Sequence, residues 1–150
     1  VKAVVELPIM TSRSRPAPVP HVRTPKVLIV DDDALNLRTI ERVFRRHLDM
    51  RLAASGESAL ELLDEHFDVA LVDYTMPGMT GVELLREIAR RSPSTGRVLV
   101  TAHAHLPDVV DALASGLAQA VLPKPWERDD ILAWVERLRP SERESMPASG

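Results

Sequence analysis

Two rhythms of apolar and polar positions alternate through the middle of the chain. Short apolar runs at Lys26–Val30, Met50–Ala54, Asp68–Asp73, Arg97–Ala102 and Gln119–Leu122 predict buried strands. Between and after them lie stretches whose apolar residues recur every three or four positions, the signature of a helix with one buried face. Ala34–Leu48 carries Leu37, Ile40, Val43 and Phe44; Glu57–Glu65 carries Ala59, Leu60 and Leu63. Gly81–Arg91 carries Val82, Leu85, Ile88 and Ala89; Pro107–Gly116 carries Val109, Val110, Leu113 and Ala114; Trp126–Leu138 carries Ile131, Val135 and Leu138. Proline at the start and glycine at the end of the fourth stretch fit the asymmetry of helix termini. Strands alternating with helices predict βαβ units with right-handed crossovers. The fold class is therefore α/β, a doubly wound five-stranded parallel sheet buried on both faces.

Composition narrows this picture. The chain has 150 residues, room for one domain. It has no cysteine, which excludes a disulfide framework, a thiolate metal site and a cysteine nucleophile. No apolar run approaches the ~18 residues of a membrane span. The opening Val1–Pro8 is interrupted by Glu6 and does not read as a signal peptide, so a cytoplasmic location is expected, with no membrane partner for this segment. Residues 11–25 hold Pro16, Pro18, Pro20 and Pro25 among serines and arginines, an extended linker, and residues 140–150 read as a flexible tail. The net charge is −3, but the first 25 residues are basic and the body from 26 to 139 is acidic. An acidic body argues against direct nucleic-acid binding.

Ligands of open parallel sheets bind outside the carboxyl ends of the strands. There the first strand ends in Asp31, Asp32 and Asp33, the third in Asp73 and the fourth in Thr101, and the fifth is followed by Lys124. Like charges ~4 Å apart repel by ~4 kcal/mol at an effective dielectric of 20. A divalent cation relieves that repulsion, and carboxylate oxygens suit Mg²⁺. A carboxylate beside Mg²⁺ and a lysine can accept a phosphoryl group, with the lysine acting as a point charge and the threonine hydroxyl as a donor to phosphate oxygen. Each residue also has a plainer reading: Asp31–Asp33 as a helix cap, Asp73 as a turn residue, Thr101 as structural, Lys124 as a solvated charge. The coincidence of all of them on separate strand ends favours the set. Lys124 is one of three lysines beside sixteen arginines, so lysine is not the habitual basic residue here.

At VLIVDDD (27–33), ALVDYTMPGMTG (70–81), VLVTA (98–102) and LPKPW (122–126) the chain resembles the receiver domain of two-component response regulators. The resemblance covers residues 26–139 and implies a flavodoxin-like (βα)5 fold with strand order 2-1-3-4-5. It implies that Asp73 accepts a phosphoryl group from a kinase histidine, that Asp31 and Asp32 help bind Mg²⁺ with Asp73, and that the Thr75 backbone carbonyl ligates the metal. Thr101 and Lys124 resemble the phosphate-sensing hydroxyl and the phosphate-pairing lysine, and Lys124–Pro125 matches a bond that is usually cis in the family. Partners would be a histidine kinase or a histidine phosphotransfer protein, with the chain a monomer or weak dimer and not an enzyme beyond its own phosphorylation and dephosphorylation. One departure concerns the switch: Val121 stands where many receivers carry Tyr or Phe, so the usual aromatic rotamer switch coupled to Thr101 is unavailable.

Two rival readings remain at this point. A haloacid-dehalogenase-like phosphatase also uses Asp, Thr and Lys at strand ends with Mg²⁺; against it, Leu35 stands where Thr or Val is expected, no acidic pair follows Lys124 at a strand end, and Asp73 has no place. A pseudo-receiver that only binds partners is the other, and the complete Asp, Thr and Lys set argues against it. Residues 1–10 (VKAVVELPIM) resemble the last strand of a histidine-kinase ATP-binding domain. On that reading residues 1–25 join a kinase core to the C-terminal receiver of a hybrid kinase, and the receiver regulates that core or passes phosphate onward; a stand-alone regulator with an N-terminal arm is the alternative. Trp126 is expected to pack at the start of the last helix, and Tyr74 to rim the pocket.

Overall fold

The computed structural model describes residues 23–140. Most of the N-terminal extension and the C-terminal tail, with the kinase-like string, lie outside the described residues. The elements are β1 (Lys26–Val30), α1 (Ala34–Phe44), β2 (Asp49–Ala53), α2 (Gly56–Glu61), β3 (Val69–Asp73), α3 (Gly81–Arg91), β4 (Gly96–Thr101), α4 (Pro107–Ala114), β5 (Ala120–Pro123) and α5 (Arg128–Leu138), with a 3-10 turn at Leu62–Asp64 after α2. All strand pairs are parallel, in the order β2-β1-β3-β4-β5. This is the doubly wound parallel sheet expected from the alternation, in the flavodoxin-like strand order that the resemblance implies.

Alternate strand residues feed two cores. Leu28, Val30, Ala70, Val72, Leu99 and Val121 face α2, α3 and α4, where Leu84, Leu85, Ile88, Val109 and Leu113 are buried. Val27, Ile29, Val69, Leu71, Val98 and Leu122 face α1 and α5, where Ile40, Phe44, Ile131 and Val135 are buried. The central strands therefore read as continuous apolar runs, because both of their faces are covered.

Local chemistry starts the helices. The Asp33 carboxylate accepts from the backbone N–H of Leu35 (2.9 Å) and Asn36 and caps α1. Thr80 and Glu83 form a reciprocal capping box at α3, and Ser55 and Ser58 do so at α2.

Several boundaries differ from the periodicity. The helix expected to reach Leu48 stops at Phe44, where the His47 N–H turns to the Phe44 carbonyl three residues back (2.8 Å) and the last turn tightens. Leu48 still enters the core at 4 % exposure, so its side chain continues the stripe while its backbone has left the helix. Within Glu57–Glu65 the α-helix gives way to the 3-10 turn, a change from 3.6 to 3.0 residues per turn that three residues cannot reveal by pattern. The fourth helix ends at Ala114: Gly116 takes a φ of +81° and donates to the Leu113 carbonyl, closing the C-terminus. The last helix begins at Arg128, after Trp126, whose ring leans on Phe44 at 5.4 Å between centroids.

At the rim opposite the strand carboxyl ends, Asp68 ties the chain's path together. It is 1 % exposed and accepts both Arg23 guanidinium nitrogens (2.7 and 2.8 Å) and the Lys26 N–H (2.8 Å). Arg139, past α5, donates to the Arg23 carbonyl at 2.8 Å. Burial opposes ionisation of Asp68, but the Arg23 and Lys26 hydrogen bonds outweigh it and hold the carboxyl below its ordinary range. Among the described residues no helix is long and apolar enough to cross a membrane.

Candidate functional site

Parallel strands deliver the ends of β1, β3, β4 and β5 to one rim. Asp31 follows β1 and is 5 % exposed; its N–H donates to the Ala53 carbonyl, which fixes it against the end of β2. Its carboxylate accepts from the Asp33 N–H (2.9 Å) and the Asn36 side-chain amide (3.3 Å). Asp32, next in the chain, is exposed. Asp73 is the last residue of β3 and is 5 % exposed. Carboxylate oxygens of Asp31, Asp32 and Asp73 lie within 4.8 Å of one another.

Lys124, just past β5, reaches across this rim. Its ammonium is 2.8 Å from Asp73 Oδ1 and 4.0 Å from Asp31 Oδ2. The Lys124 N–H donates to the Thr101 carbonyl (3.1 Å), and the Lys124–Pro125 bond is cis, as expected. Thr101 ends β4 and is buried; its hydroxyl accepts the His103 N–H at 2.9 Å, at the start of the loop to α4. Thr75 lies two residues past Asp73 and is exposed. Val121, expected at the switch position, is fully buried and paired with Leu99 in the β4–β5 ladder.

Burial is the main force pushing the Asp73 carboxyl above its ordinary range, and the charges of Asp31 and Asp32 push the same way. The Lys124 hydrogen bond and charge oppose them without winning. The floor of the site is apolar, lined by Ile29, Val30, Leu71 and Val100. Crowded negative oxygens over a low-dielectric floor form a site that gains from an added cation. The donor set fits a hard divalent ion: all-oxygen, two buried carboxylates and one exposed, leaving a solvent-facing side.

The structure thus brings together Asp31, Asp32, Asp73 and Lys124, and sets Thr101 beside them. Asp33 leaves the group to cap α1. Two participants, Asn36 and Gly81, were not singled out as site residues in the sequence, and a third, Tyr74, was expected to rim the pocket. Asn36 reaches Asp31 through α1 geometry, five positions along the chain. Gly81 packs against the end of β3: a Cβ there would sit 2.4 Å from the Asp73 carbonyl oxygen and 2.8 Å from Tyr74 Cα. Tyr74 donates its hydroxyl to the Asp108 carboxylate, at 2.7 and 2.9 Å from its two oxygens, in the first turn of α4.

Comparison with known proteins agrees with this arrangement. The response regulator receiver domain family matches residues 27–136. The DNA-binding transcriptional regulator NtrC of Escherichia coli (strain K12) is 38 % identical over 113 residues, which are 74 % of this chain and 24 % of that protein. The chain therefore spans about a quarter of the length of that relative. The chemotaxis protein CheY of Listeria monocytogenes is 33 % identical over 116 residues, 75 % of this chain and 96 % of CheY. The crystal structure of a CheY-like receiver domain protein from Methanospirillum hungatei JF-1 superposes with a TM-score of 0.71 at 31 % identity, covering 77 % of this chain and 94 % of the other. The chain belongs to the response regulator receiver domain family of two-component signalling.

Proposed function

We propose that Asp73 is the phosphoryl acceptor of a two-component phosphorelay. The observation that carries this reading is the 2.8 Å approach of Lys124 to Asp73, within a triad of carboxylates less than 4.8 Å apart. A phosphohistidine donor loses its P–N bond as the bond from phosphorus to an Asp73 carboxylate oxygen forms, and the freed imidazole takes a proton from solvent. Lys124 holds Asp73 in place and is positioned to pair with the added phosphoryl oxygens. Thr101 offers its hydroxyl as a donor to the same group. Asp31, Asp32, Asp73 and the Thr75 carbonyl would hold Mg²⁺, which when bound neutralises charge on the transferring group. The chain is then a signalling module that catalyses only its own phosphorylation and dephosphorylation.

The partner is a histidine kinase or histidine phosphotransfer protein. Leu35, 66 % exposed at the start of α1 beside the site, is the apolar contact such a partner would cover. Arg38, Arg42, Arg45 and Arg46 continue that exposed face and suit an acidic partner surface. Residues 26–139 form the receiver unit, with 1–25 as an N-terminal extension and Pro-rich linker and 140–150 as a tail; cytoplasmic location and a monomeric or weakly dimeric state belong to the same proposal.

The phosphatase alternative would make Asp31 the nucleophile. It fits less well: the lysine ammonium sits on Asp73 rather than Asp31, and Asp129 and Asp130 lie in the first turn of α5 rather than at a strand end. Labelling with radioactive acetyl phosphate and Mg²⁺ separates the two. The proposed function expects stoichiometric, alkali-labile labelling that Asp73→Asn abolishes. Steady phosphatase turnover, lost in Asp31→Asn and kept in Asp73→Asn, would refute it.

A further inference from the structure

The loop from β4 to α4 is pinned at both ends to the tips of the strands that carry the site. At its start the Thr101 hydroxyl accepts the His103 N–H. At its end the Tyr74 hydroxyl donates to the Asp108 carboxylate, 34 residues away in sequence. Tyr74 is the residue after Asp73, and its backbone is clamped: its N–H donates to the Val100 carbonyl (2.9 Å) and its carbonyl accepts the Gly81 N–H (3.1 Å). It therefore cannot drift independently of the strand end. α4 has no side-chain cap at Leu106, so the bond to Asp108 is a principal polar hold on its first turn. The bond is charge-assisted but exposed to solvent, so its net contribution is modest.

The usual route from site to helix is missing, since Val121 is aliphatic and fully buried. We propose that the Tyr74–Asp108 hydrogen bond is the latch that holds α4 in its unphosphorylated position and couples the state of Asp73 to that helix. This rests on the reading of Asp73 as the phosphoryl acceptor. A phosphoryl group on Asp73 draws the Thr101 hydroxyl toward it. The loop follows through His103, and α4 shifts against the latch. Energy held in the latch opposes that shift, so removing the latch favours the phosphorylated-like placement. Tyr74 is a positioning residue: it touches neither the metal ligands' oxygens nor the incoming group in this scheme.

Amide NMR of the full 150-residue chain, with and without Mg²⁺ and beryllofluoride as the phosphoryl mimic, tests this. In the unmodified protein the mimic should move the Asp73 amide and the amides of α4. Tyr74→Phe, which removes one oxygen, should move the α4 amides part of the way in the same direction without the mimic. It should also tighten mimic binding by about 2- to 5-fold. Asp108→Ala should do the same, and the double variant should go no further than either alone. The latch is overturned if the α4 amides of Tyr74→Phe stay at their original positions, if the mimic binds that variant equally or more weakly, or if the two substitutions add. An unmodified protein whose Asp73 amide ignores the mimic would overturn the acceptor reading, and the latch with it. A merely structural tyrosine would lower stability without strengthening the mimic.

Discussion

Replacing Gly81 with alanine adds one methyl group directly behind the proposed acceptor. The new Cβ would stand 2.4 Å from the Asp73 carbonyl oxygen, 2.8 Å from Tyr74 Cα and 3.0 Å from a Leu99 methyl. Ordinary C···O contacts begin near 3.3 Å, so about 0.9 Å must be recovered by moving the start of α3 or the end of β3. Both close neighbours are backbone atoms in the central sheet, which cannot step aside as a flexible side chain would. Overpacking of this kind costs ~1–3 kcal/mol, and three simultaneous contacts place it at the upper end. Alanine returns ~0.4–1 kcal/mol by restricting the unfolded chain and favouring helix. The net is a loss of about 2 kcal/mol. For a domain between the small and medium size classes that lowers the melting temperature by roughly 6–12 °C.

The displaced strand end should also slow labelling by acetyl phosphate at least tenfold at a temperature where the variant is folded, because misplacement approaching ~1 Å can cost ~100-fold. Gly116→Ala is the control. Its φ is +81° but no atom lies within 4 Å of a Cβ there, so it incurs only the ~1–2 kcal/mol dihedral cost and leaves labelling unchanged. Circular dichroism melts and labelling rates of the two variants decide the matter. If Gly81→Ala melts within 2 °C of the parent, roughly the resolution of such a comparison, and labels at the parent rate, the close packing behind Asp73 is not what positions it.

Two further outcomes follow from the charge layout. Mg²⁺ should raise the melting temperature relative to a chelator, by about 1.4 kcal/mol of stability at ten times its dissociation constant, and Asp32→Asn should shrink that gain; an unmodified protein that ignores the ion would refute the cation site. Asp68 has a native pKa below its unfolded value of 3.8, so its contribution to stability is full above that pH and fades as pH falls through the native value. Urea titrations from pH 6 down to pH 2 should therefore show Asp68→Asn converging on the parent below about pH 3.8, and a difference that persists unchanged to pH 2 would contradict the ionic account of this tie.

Much of this protein was legible along the chain because its information is local. Apolar runs bounded by helical stripes specify strands and helices, and a parallel sheet necessarily gathers its strand ends on one side. Asp31, Asp32, Asp73, Thr101 and Lys124 could thus be assigned to one rim from position alone. The end of α1 at Phe44 was not legible, since Leu48 keeps the apolar period while the His47 N–H has already shifted to the Phe44 carbonyl three residues back. Tertiary structure alone decided the division of labour among the aspartates: Asp33 to the cap, Asp31 buried among hydrogen bonds, Asp32 exposed. It also decided that Tyr74 meets Asp108, that Arg23 meets Asp68 and that Arg139 meets Arg23, pairs separated by 34, 45 and 116 positions. A side chain's neighbours within one helical turn follow from the spacing of residues, whereas partners this distant meet only after the sheet has closed and brought separate strand ends together.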